Sequence, residues 1–174
     1  VFVSSMGRSA SFSFFNLHLA DLGGTRTLIG ISAAVAGFSE VPTFFYSEGM
    51  LKRWGPRALV SLSLATTTLM LVGFSLVQSP EWLVPFRIFQ GLSFASLYVA
   101  GVYYAGEAAP EGLGATTRAL YGAVGGLAMT IGSFIGGYIY DAWNAFVLFR
   151  VGALTVGIAL VLFLANVSRF GRAA

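Results

Sequence analysis

One acidic residue, Glu40, lies in the middle of a long apolar run, Leu28–Tyr46. A carboxylate inside a membrane costs roughly 3 kcal/mol or more unless it is paired with a cation, is protonated or faces a water-filled cavity. Acids in such positions are typical of the paths that solutes or protons take across a membrane. Glu40 is therefore the first candidate for a functional residue.

Arg8 is the basic residue whose position best suits a pairing with Glu40. It lies thirteen residues before Asp21, where the first apolar run ends, and Glu40 lies thirteen residues after Thr27, where the second begins. At 1.5 Å of rise per residue, both charges are about 20 Å from the same surface. We expect an ion pair that holds Glu40 ionised and whose loss favours protonation, which would be a proton switch. A static pair that only fixes the two helices is the alternative.

Four further polar side chains in the apolar runs are candidates for contact with a solute: Asn16, Gln90, Tyr98 and Tyr121. Their amide and hydroxyl groups can form hydrogen bonds, and tyrosine rings can stack on a sugar or a base. Packing and anchoring at the membrane interface are the alternatives for the tyrosines. The only histidine, His18, lies close to the end of its run, so we expect it to be exposed and not a proton relay.

The composition indicates an integral membrane protein. Of 174 residues, 56% are hydrophobic and 10% are charged, whereas soluble domains carry roughly 25% charged residues. The lack of cysteine and the single histidine exclude a disulfide framework and a cluster of cysteine or histidine metal ligands, so we expect no metal and no cofactor. The net charge of +3 is thinly spread, and we expect no nucleic-acid partner.

Several apolar segments are long enough to cross a bilayer, which takes roughly 20 residues. Six spans are predicted, at about 1–20, 28–47, 58–77, 83–105, 119–139 and 146–166. Turn-forming residues at 21–25, 52–57, 78–82, 109–112 and 141–144 separate them. Because these breaks are too short for a soluble domain, we expect one transmembrane unit, residues 1–174. The chain begins at Val1 without a charged leader, so we expect a piece of a longer protein.

Basic residues near the ends of the spans predict the orientation. One side would hold Lys52, Arg53, Arg57, Arg118, Arg169 and Arg172, and the other Arg26, Arg87 and Arg150. We expect the richer side to be cytoplasmic. The chain would then be a multi-pass protein of the plasma or bacterial inner membrane, with its C-terminus in the cytoplasm.

Three segments resemble parts of major facilitator superfamily transporters. Leu51–Arg57 is similar to the basic loop between the second and third helices of a half, and Glu107–Pro110, with Gly112 and Arg118 after it, is similar to the loop between helices ten and eleven. Ile135–Asp141 is similar to the end of helix eleven. The chain thus resembles the C-terminal six-helix half of a twelve-helix transporter.

Within that superfamily, residues 39–42 and 89–94 are most similar to the branch of sugar- and nucleoside-proton symporters. Related residues at 49–55 and 137–144 close the second and fifth spans, as a three-plus-three inverted repeat would require. The resemblance implies alternating access, in which this half and a missing N-terminal six-helix half rock around a site near mid-membrane. The first, second, fourth and fifth spans would line the cavity.

The resemblance also implies a cytoplasmic gate formed by Lys52, Arg53, Gly55 and Arg57, although Lys52 stands where the family usually has an acid. Contact with lipid phosphates is the alternative for these basic residues.

We therefore expect secondary active transport of a small solute, coupled to protons as symport. The alternatives are an exporter of drugs or metabolites and a transport-inactive sensor or partner protein. A channel is disfavoured because no filter-like loop is present. An intramembrane serine protease is disfavoured because Gly91-Leu92-Ser93 lacks a following glycine and His18 lies in the first span. We expect no enzyme.

Overall fold

The structure, a computed structural model, describes residues 2–170, without the side chains of residues 3, 4, 10, 11 and 166–170. Arg172 and the side chain of Arg169, which contributed to the predicted orientation, lie outside the described residues. Within that range the chain is all-helical. The helices are α1 (Phe2–Asp21), α2 (Arg26–Leu76), α3 (Pro80–Leu83), α4 (Ile88–Glu107), α5 (Gly114–Ala142) and α6 (Ala145–Phe170), with a 3₁₀ turn at Pro85–Arg87.

Among the described residues, four helical stretches are long and apolar enough to cross a membrane: Arg26–Leu76, Pro80–Glu107, Gly114–Ala142 and Ala145–Ala165. The first is 51 residues long, which is about 77 Å and more than twice the hydrocarbon thickness of a bilayer. Helix α1 has 20 residues, but its serines and Arg8 make it less apolar. The count of six membrane spans stays a prediction.

Gly55 divides α2 into a first arm, residues 26–54, and a second arm, residues 56–76. Its backbone has φ 77° and ψ 165°, a conformation that glycine adopts readily and other residues avoid. Pro56 disfavours helical backbone at Gly55 as well. The predicted break at 52–57 is therefore a sharp bend and not a loop.

The two arms of α2 pass α4 in opposite directions. Ser39 lies against Gly91 and Leu51 shares a cavity with Glu107, so the first arm is parallel to α4. On the second arm, Ser63 donates a hydrogen bond to the Ser93 carbonyl (2.7 Å) and Gly73 lies against Phe86, so this arm is antiparallel to α4. The bend reverses the chain, and α2 supplies two passes of the bundle.

Helix α1 lies parallel to α5 in the same way. Ser9 donates to the Met129 carbonyl (2.7 Å), and the Tyr140 hydroxyl donates to Asp21. We divide the bundle into two three-helix units: α1 with the two arms of α2, and α4 with α5 and α6. The first helix of each unit then packs in parallel beside the second helix of the other: α1 beside α5, and α4 beside the first arm of α2. This pairing fits the predicted inverted repeat.

The bundle has one closely packed end and one open end. At the closely packed end, which we call the Asp21 end, the Phe74 ring lies 4.6 Å from that of Phe15 and 5.4 Å from that of Phe149. Leu19 and Leu83 complete this fully buried core. The other end, which we call the kink end, holds Gly55, the last turn of α4 and the first turns of α5. Two cavities open there.

Helices also end at or near the turn-forming residues at 21–25, 109–112 and 141–144. Thr25 caps α2, because its hydroxyl accepts a hydrogen bond from the Leu28 amide (3.2 Å). Asn144 caps α6 in the same way, through the Val147 amide (2.9 Å). Helix α4 starts at Ile88, later than the predicted residue 83, because residues 80–87 form the short α3 and the 3₁₀ turn.

Gly91 sets how closely α4 approaches the first arm of α2. A Cβ at this position would overlap the backbone of Ser39 and Glu40. We expect Gly91→Ala in the full-length protein to lower the thermal unfolding midpoint by roughly 1–4 °C, since overpacking costs roughly 1–3 kcal/mol and the midpoint of a long chain shifts little per kcal/mol. Gly157→Ala is the matched control, because its Cβ would meet Thr68 at 3.6 Å, an ordinary contact. Equal midpoints for the two variants would contradict this account of the packing.

Candidate solute pathway

One face of α4 runs along the whole candidate site. Gly91, Phe94, Tyr98 and Gly101 recur at spacings of three and four residues, and Arg87 precedes them by one turn. From Arg87 to Gly106 the helix rises by about 28 Å, which is close to the roughly 30 Å hydrocarbon thickness of a bilayer. This face can therefore present side chains at successive depths of a membrane.

Arg87 lies at the Asp21 end of this face and is 7% exposed. Its Cζ atom is 4.4 Å from the centroid of the Phe15 ring, a cation–π geometry that partly compensates for lost hydration. Glu40 is the carboxylate that acts on this cation electrostatically, although no ion pair at contact distance joins the two residues. The Nε atom of Arg87 is buried and has no hydrogen-bond partner among the described residues.

Glu40 itself is partly buried, and its backbone amide lies against Gly91. Pro42, two residues later, cannot supply the amide that would bond to the Phe38 carbonyl. Just before it, the Ser39 hydroxyl bonds back to the Ala36 carbonyl (2.6 Å). The acid thus sits on a segment of helix whose backbone ladder is incomplete.

The expected contact between Arg8 and Glu40 is not formed. Among the described residues, the one ion pair joins Glu48 to Lys52 (2.7 Å). Arg8 instead directs its guanidinium over Phe94, 5.8 Å from the ring centroid. Helix α1 packs mainly on α5 and α6 and only slightly on α2, so equal depth along the two helices did not bring Arg8 into contact with Glu40.

The main cavity lies between α1, α4 and α5 and has a volume of about 420 Å³. Arg8, Phe94, Tyr98, Arg118 and Tyr121 supply its large side chains. Glycines of α5 leave the space open: Gly122, Gly125 and Gly126. Its size falls within the range typical of small-molecule sites.

Tyr121 is held by the close approach of α4. A Cβ at Gly101 would overlap its hydroxyl and ring, so glycine at that position makes room for the phenol. Tyr98 is 52% exposed and lies in a cluster of rings, 5.9 Å from Phe44 and 6.2 Å from Phe94. Tyr98 and Tyr121, both of which were predicted to contact a solute, thus line one cavity together with Arg8.

A second cavity, of about 510 Å³, opens at the kink end. We call it the vestibule. It shares Tyr98, Val102 and Arg118 with the main cavity, and Leu51 and Glu107 lie at its margin. The two cavities together form a path that leads from the kink end to Arg8, and their lining residues come from α1, the first arm of α2, α4 and α5.

Two of the predicted site residues lie elsewhere. Asn16 is exposed on α1, and Gln90 is 8% exposed with no partner for its Oε1 atom among the described residues. Neither lines the main cavity or the vestibule.

The expectation of an exposed His18 is wrong. The residue is 1% exposed, and its ring lies 5.0 Å from each of the rings of Phe146 and Phe149. The first turns of α6 cover it, which proximity to the end of α1 did not reveal. Among the described residues, no group of three histidine, aspartate or glutamate side chains is placed to hold a metal ion.

The predicted gate residues lie at the bend of α2. Lys52, Arg53 and Arg57 are exposed there. The acid that pairs with Lys52 is Glu48, one helical turn earlier on the same arm.

Three residues of the candidate site, Arg87, Phe94 and Arg118, were not predicted from the sequence as site residues. Arg87 and Arg118 were used to predict orientation, and Arg118 and Phe94 supported the family resemblance, but none was assigned to the site. A signal was present, since Arg87 and Phe94 share with Tyr98 one face of a helix at spacings of four and seven residues.

Comparison with known proteins finds a matching family and several relatives. The model of the MFS_1 like family matches residues 1–151. Maltose permease of Geobacillus stearothermophilus is 32% identical over 164 residues, which are 92% of this chain and 41% of that protein. An uncharacterized transporter of Bacillus subtilis, YwbF, is 26% identical over 89% of this chain and 40% of that protein.

A more distant relative comes from Xenopus laevis. Major facilitator superfamily domain-containing protein 6-like protein A is 24% identical over 94% of this chain and 27% of that protein. The chain thus spans about two fifths or less of the length of these curated relatives.

The interaction of Arg87 with Glu40 can be tested by a double-mutant cycle. We expect Arg87→Gln and Glu40→Gln each to destabilise the full-length protein, because each leaves the other charge without its counterpart. The double variant should lose roughly 1 kcal/mol less than the sum of the two, as measured by thermal unfolding in detergent. A cycle of Glu40→Gln with Arg150→Gln, an exposed arginine on α6, should be additive. Additivity in both cycles would rule out the interaction.

Proposed function

Since the chain belongs to the MFS_1 like family, we propose that it is half of a secondary transporter that moves a small polar solute by alternating access. We assign it to the C-terminal half, on the resemblance of its loops and helix ends to that part of the superfamily. The missing N-terminal half would complete the walls of the path. The function belongs to the whole protein, of which this chain carries one side of the route.

The observation that carries the proposal is the main cavity. It joins hydrogen-bonding groups, aromatic faces and a buried cation in about 420 Å³, and it continues through the vestibule to the kink end. Tyrosine rings can stack on a sugar or aromatic ring while their hydroxyls bond to it. Maltose permease is among the relatives, so sugars are the first solutes to test.

We further propose that transport is coupled to protons through Glu40. Glu40 is partly buried. Arg87 is the cation on which it acts electrostatically, without an ion pair at contact distance. Rocking of the two halves would open Glu40 to one side of the membrane and then to the other, so that a proton bound on one side is released on the other.

The orientation that we propose for the chain in the membrane rests on the basic residues at the bend of α2. Lys52, Arg53 and Arg57 are exposed there, which suits contact with a cytoplasmic surface. The kink end would then be cytoplasmic, and the vestibule would open to the cytoplasm with the bend of α2 as its gate. The C-terminus would lie on the same side.

Transport can be measured with the full-length parent protein in liposomes that contain a pH-sensitive dye. Maltose, other sugars, nucleosides and small aromatic acids would be added one at a time. We expect one of these classes to drive acidification of the lumen, because solute and proton enter together. A correctly folded protein that also fails to exchange labelled solute of every class would overturn the transport proposal.

The role of Glu40 gives a sharper prediction. In the same liposomes, Glu40→Gln should abolish solute-driven acidification and uphill uptake, because the amide cannot bind or release a proton. Exchange of labelled for unlabelled solute should continue, since the amide resembles the protonated acid. Glu48→Gln is the matched control, an exposed acid on the same arm, and should behave like the unmodified protein. Proton-coupled uptake by Glu40→Gln at the unmodified rate would exclude Glu40 as the proton site.

A further inference from the structure

The main cavity holds positive charge without a matching acid. Two of the side chains that line it are arginines, Arg8 and Arg118, and none of the described residues that line it is an aspartate or a glutamate. Glu107 is part of the vestibule and not of the main cavity. Glu40 acts on Arg87 and lines neither cavity. The charges of Arg8 and Arg118 therefore face the open space of the cavity.

Arg8 is the cation that most needs a partner. Its Nη1 atom is buried and has no hydrogen-bond acceptor among the described residues. The face of Phe94 lies 5.8 Å from its Cζ atom and the phenol of Tyr121 lines the same cavity, and neither carries a full negative charge. A guanidinium has five donors, and leaving a buried charged donor unpaired is costly. An acceptor brought by the solute would remove that cost.

Arg118 has a different setting. It is exposed, and its guanidinium lies beside Gly106, at the junction of the two cavities. Phe94, next to Arg8, and Gly106 are twelve residues apart on α4, so the two cations are separated by about 18 Å along the helix. One small anion cannot bridge that distance. Arg118 is placed to attract an anion as it enters, and Arg8 to bind it deeper in the path.

We propose that this cavity selects an anion: a small organic solute that carries a carboxylate or phosphate group beside a ring. The inference rests on the proposed transport function and names its substrate class. Arg8 binds the oxyanion, which matches the planar guanidinium in a bidentate manner. Phe94 and Tyr98 pack against the ring, and the Tyr121 hydroxyl is within the same cavity to bond to it.

The test uses pairs of probes that differ in one charged group. These are 4-nitrophenyl glucuronide with 4-nitrophenyl glucoside, glucose 6-phosphate with glucose, and benzoate with benzyl alcohol. Binding to the purified full-length parent protein would be measured by titration calorimetry. We expect the anion of a pair to bind about tenfold tighter or more, which is the effect of one charge-assisted hydrogen bond.

Substitutions assign that preference to a residue. Arg8→Gln should bring the anion-to-neutral affinity ratio close to one and leave the affinity for the neutral probe unchanged. Arg8→Lys keeps the charge but not the planar fork, so it should keep part of the preference, and it also serves if Arg8→Gln does not fold. Arg150→Gln removes an exposed arginine outside both cavities and should leave the ratio unaltered.

The outcomes separate this inference from the transport proposal. Anion binding that depends on Arg8, with no solute movement in liposomes, would uphold the inference and refute transport. Transport of the anionic and the neutral member of a pair at equal rates, by both the unmodified protein and Arg8→Gln, would refute the inference and uphold transport. Tighter binding of the neutral probes, an unaltered ratio in Arg8→Gln, or no binding of any anionic probe would also refute it. Each of these three results would indicate that the partner of Arg8 is a carboxylate of the missing half and not a solute.

Discussion

The arrangement of the bundle depends on how charge is held where water is scarce. A charged side chain in an apolar helix bundle is stable only near an opposite charge, an aromatic face or a wet cavity. Arg87 has the first two, through Glu40 and Phe15. Arg8 has the face of Phe94 and the open space of the main cavity. The two arginines are therefore compensated in different ways: Arg87 by an acid and an aromatic ring of the chain itself, and Arg8 by an aromatic ring and a cavity.

Close helix contacts place these charges. Glycine at position 91 brings α4 against the backbone of Ser39 and Glu40, and glycine at position 101 makes room for Tyr121. On the other side, serine hydroxyls join α1 to α5, as Ser9 does at Met129. Close contacts thus join α4 to the first arm of α2 and α1 to α5, so each pair combines helices from the two three-helix units. A bundle joined in this way can move as a rigid body, which alternating access requires.

Packing differs sharply between the two ends. The Asp21 end is filled by the rings of Phe15, Phe74 and Phe149, whereas the kink end has two cavities that share Tyr98 and Arg118. Among the described residues, the two cavities that share Tyr98 and Arg118 therefore lie toward the kink end. The bend at Gly55 contributes to that asymmetry, because it reverses α2 beside the vestibule.

The sequence by itself determined the class of the protein and where most of its helices are interrupted. Apolar composition requires a lipid environment, and turn residues interrupt helices. That Glu40 has a function stays a prediction, made because an acid in an apolar run is costly. Tyr98 and Tyr121 were also identified, because a polar tip in an apolar helix is visible in the sequence. Only the tertiary structure decided that Glu40 acts electrostatically on Arg87 and does not contact Arg8, that α6 covers His18, and that Asn16 and Gln90 line neither the main cavity nor the vestibule. The physical reason is that residue spacing fixes depth along a helix, whereas partners depend on rotation about its axis, which is set by packing against other helices.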